Sequence, residues 1–293
     1  MKNKKIRKDL FLFTIVPFAI PFMVEIPDAV VNTTLKWIII FALGFLDFYF
    51  AYKSLLEKEK DTNNEWIQKS IRHAYSGAYE IIERKRDTLS HEAEFDRINV
   101  GEDILPYDIH FHIKDICKEF KNVIAAITKI SNEFLSVTFI YRYCYNGCDE
   151  SDSTWRWIVG RDSIGTLSLK DLIKAKSIFH QIIDGNTYYI FGNSKKDLAN
   201  KGIYHLSNRD EMYNDIGSVF SIKVAFGDNF SSFVEGIITV TSYGKSFTEY
   251  LDIDDAPAAL QKMIIDEIFP YYKKMIEAEM GLMYIRHINR TSK

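Results

Sequence analysis

Leu135-Ser136-Val137-Thr138-Phe139-Ile140-Tyr141-Arg142-Tyr143 is rich in β-branched and aromatic residues, the composition of a pleated, half-buried strand. Immediately upstream the apolar residues keep a different period. Ile113, Ile116, Cys117, Phe120, Val123, Ile124, Ile127 and Ile130 recur at steps of three and four, which predicts a helix over residues 113–134. The period therefore changes from helical to extended at residue 135. Downstream, Asn146-Gly147 lies in a turn and Thr154-Trp155-Arg156-Trp157-Ile158-Val159 reads as the returning strand of a long-looped hairpin.

Towards the C-terminus a helix is expected over residues 169–183, ended by Asp184-Gly185, then a strand over 187–191 and a polar stretch through Asp215. Two further strands, 218–226 and 233–241, are separated by the turn residues Gly227-Asp228-Asn229. A long final helix is expected from 255 to 286, kinked at Pro270. This order predicts an α+β fold, an antiparallel sheet packed with helices. The run Gly217-Ser218-Val219-Phe220-Ser221-Ile222-Lys223-Val224, followed by Gly236-Ile237-Ile238-Thr239-Val240-Thr241-Ser242 and Phe247, resembles a GAF domain over residues 112–287. That family is a ligand-binding sensory module related in fold to PAS domains. The resemblance implies a small-molecule pocket and a signalling role. The Asn-Lys-x-x-Phe-x-x-x-Asp-Glu signature of cyclic-nucleotide-binding GAF domains is missing and no cysteine matches a bilin attachment site, so no cofactor is assigned.

Working towards the N-terminus, residues 91–108 turn polar around Gly101 and Pro106, a linker pattern. Before them Thr62 and Glu65 form a capping-box pattern. Trp66, Ile67, Ile71, Ala74, Tyr75, Ala78, Ile81 and Ile82 follow as one apolar stripe. That stripe suits either a paired helix in a homodimer or docking on the domain that follows. Residues 10–24 and 35–52 are two apolar runs; five cations precede the first and Lys53, Lys58 and Lys60 follow the second. Under the positive-inside rule they predict a two-helix transmembrane hairpin with both termini cytoplasmic, a multi-pass cell-membrane protein. Asp47 is the single acid within the second run, placed to pair with Arg7 or Lys8. The expected organisation is thus a membrane hairpin at 1–53, a helical connector and linker at 54–108, and the GAF-like domain at 109–288.

A net charge of −3 gives no electrostatic footprint for nucleic acid. Three cysteines, Cys117, Cys144 and Cys148, are too few and too odd for a disulfide framework, although Cys144 and Cys148 at the hairpin tip are a conceivable redox pair. His110 and His112 share a face only if they lie on a strand, and no third ligand accompanies them, so no metal site is assigned. No phosphate-binding loop, nucleophile elbow or HExxH motif occurs, and no enzyme is expected. The candidate ligand-binding residues are Tyr141, Tyr143, Trp155, Trp157 and Tyr189 as aromatic surfaces, with Arg142 and Arg156 to pair with an anion. The competing reading makes those aromatics core and those arginines solvated. The expected function is a membrane-anchored sensor that binds a small molecule or a partner. The alternative is a membrane-perturbing defence effector triggered through the same domain.

Overall fold

The structure is a computed structural model and describes residues 49, 53, 65–87, 108–160, 168–174, 177–185, 187–228, 230–251, 253 and 255–291. The chain divides into two compact units, Met1–Trp66 and Ile67–Lys293. Only the second is described over most of its length.

At its centre is a five-stranded antiparallel sheet in the order β2-β1-β5-β4-β3. The strands are β1 (Leu135–Tyr143), β2 (Arg156–Val159), β3 (Tyr189–Gly192), β4 (Val219–Gly227) and β5 (Ser232–Ser242). β5 lies in the middle because it pairs with β1 along one edge and β4 along the other. Side chains alternate across a strand, so register fixes the two faces. Phe139 stands opposite Ile238, and Val240 opposite Phe220, all on one face. Ile140, Ile237 and Val219 occupy the other.

The first face is covered by α2 (Ile109–Thr128) and α8 (Phe269–Thr291). Asp108 starts α2 by accepting a hydrogen bond from the Phe111 N–H at 3.1 Å. Lys129, at φ 58°, ends it. The helix therefore begins four residues earlier than the apolar stripe suggests and stops before Ile130, and Asn132–Phe134 is a separate short turn. Phe120 joins the layers, with ring centroids 6.1 Å from Phe220, 5.5 Å from Phe269 and 5.2 Å from Tyr272. The second face is covered by α3 (Leu169–Lys174) and α4 (Ile178–Asp184), where a single helix was expected. Ser177 caps α4 by accepting from the His180 N–H, which separates the two. The polar stretch after β3 contains two more short helices, α5 (Lys195–Asn200) and α6 (Asn208–Met212), each begun by a serine cap.

The helix at residues 65–87, α1, docks on this domain. Ala74, Ala78 and Ile81 are buried. Gly77 permits the close approach, since a Cβ there would lie 2.6 Å from Glu119 Oε1 and 3.1 Å from the Tyr272 hydroxyl. Polar contacts complete the seam: Tyr272 donates to the Ala74 carbonyl at 3.3 Å, Arg84 to Asp115 at 2.9 Å and Lys85 to Glu279 at 2.5 Å. Ala74, Ala78 and Ile81 of the stripe dock on the domain, while Tyr75 and Ile82 are exposed.

The last helical region has three parts. α7 (Ala256–Lys262) runs into a π-helical turn, Met263–Ile268, and then into α8. The Phe269 N–H reaches back five residues to the Ile264 carbonyl, and Pro270 follows with no N–H to give. The irregularity expected at Pro270 therefore takes the form of a widened turn just before it.

The expected fold of a transmembrane hairpin joined to a sheet domain is corrected. Among the described residues the fold is α+β, and no helix is long and apolar enough to cross a membrane. α2 is amphipathic instead, with Lys114, Asp115, Lys118, Glu119 and Lys121 off its buried face, and the apolar residues of α8 are interrupted by Lys273, Lys274, Glu277 and Glu279. Residues 1–53, Asp47 included, lie outside the described residues apart from Tyr49 and Lys53.

Candidate ligand-binding corner

The structure divides the seven candidate residues between the two faces of the sheet. Tyr141 and Tyr143 alternate with Arg142 in β1, so the tyrosines face α2 and α8 while the arginine faces the other way. Tyr141 is buried, edge-on to His110 at 5.7 Å and to Tyr143 at 5.8 Å. Tyr143 stacks on His287 with centroids 4.1 Å apart and donates to the Met283 carbonyl at 3.5 Å. Arg156 stands opposite Tyr141 and bonds Asp152 and the Ser151 carbonyl, each at 2.8 Å. Tyr189 stands opposite Ile222, and its hydroxyl accepts from Gln261 at 3.1 Å. Tyr141 and Tyr143 belong to the packing beneath the long helices, whereas Arg156 is tied to the hairpin loop and Tyr189 to α7.

Arg142, Trp155 and Trp157 come together on the opposite face. Trp155 and Trp157 pack on the cluster of Ile140, Ile178, Ile182, Val219 and Ile237. Trp157 meets Phe179 edge-on at 6.0 Å. The Arg142 guanidinium lies 4.9 Å from the centre of the Trp155 ring, a cation–π contact. It is held there by Glu235, whose Oε2 accepts from Nε at 3.1 Å and from Nη2 at 2.7 Å. Glu235 Oε1 takes Lys223 Nζ at 2.7 Å. Three neighbouring strands thus supply a row of Arg142, Glu235 and Lys223, two cations about one carboxylate.

Burial pushes the Glu235 carboxyl upward, but the hydrogen bonds and charges of Lys223 and Arg142 outweigh it and hold the group below the ordinary glutamate value. The carboxylate is therefore ionised at neutral pH and the corner carries one net positive charge. Such a corner can stack a planar group on indole and meet an anion with guanidinium or ammonium. Arg142 and Lys223 are each about one-third exposed, so the corner is open to water. Sequence reasoning missed Lys223 and Glu235. The available signal was a charge at one alternate position in each arm of an otherwise apolar hairpin; cross-strand register was needed to bring them to Arg142.

The other candidate chemistry is not assembled. His110 and His112 lie in the first turn of a helix, where residues two apart point to nearly opposite sides. Among the described residues no group of three or more His, Cys, Asp or Glu side chains is placed to hold a metal ion. Cys144 and Cys148 are both free thiols. Cys144 donates to the Ser232 carbonyl at 3.1 Å, and burial with the nearby Glu235 pushes its pKa up to about 11. Fewer than about one molecule in a thousand carries the thiolate at pH 7.5. Iodoacetamide is expected to alkylate Cys144 roughly a hundredfold more slowly than free cysteine at that pH. A rate equal to that of free cysteine, followed by peptide mass mapping, would restore the redox reading.

No family model matches the chain, and no curated protein matches it in sequence.

Proposed function

We propose that the unit formed by Ile67–Lys293 is a non-enzymatic, GAF-like sensory module that binds a small anionic, planar ligand or a partner presenting one. The observation that carries this reading is the Arg142 guanidinium, fixed against Trp155 by the two hydrogen bonds it donates to a single carboxylate oxygen of Glu235. The contact pre-orients the guanidinium, and pre-orientation reduces the entropy lost on binding. The antiparallel sheet with a helical layer on each face is consistent with the family resemblance. Signal output is assigned to α1, whose seam with α2 and α8 is built from Ala74, Ala78, Ile81 and a few discrete polar contacts. Contacts of that kind can be exchanged without unfolding the core.

A thermal-shift screen against nucleotides, cyclic nucleotides and small metabolites tests the proposal. A ligand at about a hundred times its dissociation constant stabilises the native state by roughly 2.7 kcal/mol. The expected result is a hit that Arg142→Gln removes while leaving the unliganded melting temperature within a few degrees. A hit untouched by Arg142→Gln, or a panel with no hit, rejects the corner as the site.

A further inference from the structure

On the face of the sheet opposite Arg142 there is a half-open cleft of about 320 Å³. Its floor is apolar. Ile222 from β4 and Phe269 at the start of α8 are each 1% exposed and lie at the bottom. Ile265, Pro270 and Tyr188 complete its apolar lining. The rim is charged. Lys273 Nζ sits 5.2 Å from the centre of the Tyr188 ring and 3.6 Å from Glu277 Oε1, while Lys274 is exposed beside it. Two lysines and one glutamate leave a net positive rim over a greasy floor.

The main chain adds a third feature. The π-helical turn ends against Pro270, which supplies no N–H, so a carbonyl one turn back receives no main-chain hydrogen bond from it. Widened turns of this kind are frequent at functional sites. Here both Ile265 of the turn and Pro270 line the cleft.

We infer that this cleft is a second binding site, and that it takes a small amphipathic monoanion, an aromatic or short aliphatic carboxylate. The apolar body lies against Ile265, Pro270 and the Tyr188 ring, above the buried Ile222 and Phe269, and the carboxylate meets Lys273 and Lys274. The volume is at the lower end of small-molecule sites. Glu277 acts against a second negative charge on the same ligand. The position gives the site a consequence. Tyr271 and Tyr272 follow Pro270 directly, and they hold α1 through the Tyr75 hydroxyl and the Ala74 carbonyl. An occupant of the cleft thus bears on the residues that grip α1.

The test is titration calorimetry on the full chain with benzoate, phenylacetate and indole-3-acetate, each beside its uncharged amide. Saturable binding of at least one carboxylate is expected, weakened roughly tenfold or more in the amide and in Lys274→Glu. Lys273→Gln weakens it as well. Arg142→Gln leaves it unchanged, which separates this site from the corner on the other face. Lys274 is exposed, so its variant melts as the parent does, and that melt is the folding control. Absence of saturable binding overturns the inference. Equal affinity for the amide, or loss in Arg142→Gln with retention in Lys274→Glu, overturns it too.

Discussion

Asp210→Ala is expected to lower stability by about 3–5 kcal/mol, because it strands a buried ammonium. Lys195 and Asp210 are both 0% exposed and hydrogen-bonded to each other. The second oxygen of Asp210 accepts from the Ser207 N–H at 2.8 Å, the Ser207 hydroxyl at 2.7 Å and the Tyr204 hydroxyl at 3.2 Å. Lys195 Nζ lies 4.0 Å from the centre of the Tyr243 ring. The surroundings cannot relax around it. A Cβ on Gly217, at φ 153°, would lie 2.6 Å from Lys195 Cε and 2.1 Å from the Ser242 carbonyl.

Burial already holds the Lys195 ammonium below the ordinary lysine value even with Asp210 beside it, and without the acid it falls further. The sign of the pH dependence follows. The folded state then binds its proton less tightly than the unfolded state, so stability rises with pH up to the ordinary lysine value. Urea unfolding of the parent and Asp210→Ala at several pH values measures both effects. A loss below about 1 kcal/mol, or a variant whose stability falls as pH rises, would show the pair to be solvated.

Phe120→Ala is expected to cost a similar amount, about 3–5 kcal/mol, for a different reason. Phe120 is fully buried, and its ring is shared among β4, the start of α8 and Tyr272. Truncation opens a cavity beneath three elements whose backbones are fixed by the sheet and by each other. Tyr272 loses a wall at the same time, so α1 should become more susceptible to limited proteolysis. Phe111→Ala is the control: nine residues earlier on the same helix, Phe111 is 59% exposed, and its loss should stay within about 0.5 kcal/mol. Equal losses in the two variants would contradict the placement of α2.

Strand positions were legible in the sequence wherever one short stretch held all the information. β1 is the quoted stretch itself, and the hairpin of β4 and β5 forms around Gly227 and Asp228, the latter accepting from the Phe230 and Ser231 N–H groups. Capping ends were harder. Ser177, Ser194 and Ser207 each begin a helix of five to seven residues, too short for an apolar period to emerge. For that reason α5 and α6 read as a polar stretch, and the buried Lys195–Asp210 pair between them was invisible. Alternation in β1 already separated Arg142 from Tyr141 and Tyr143. Which face each would meet depended on α2 and α8 packing on one side and α3 and α4 on the other, a matter of tertiary contact. Lys223 and Glu235 joined Arg142 only once β4 and β5 were in register.

α8 has a bearing on how the chain is made as well as on what it holds. It is synthesised after every strand of the sheet, yet it covers β4 and packs on α2 and, through Tyr272 and Glu279, on α1. On the ribosome, the sheet and its hairpins can pair while residues 269–291 are still untranslated. Phe120, Phe220 and Ile222 then wait for several seconds as uncovered oily surface, at synthesis rates of about 5–20 residues per second. A premature stop before residue 269 leaves that surface uncovered for good, and the fragment is expected to aggregate rather than to form a smaller working domain.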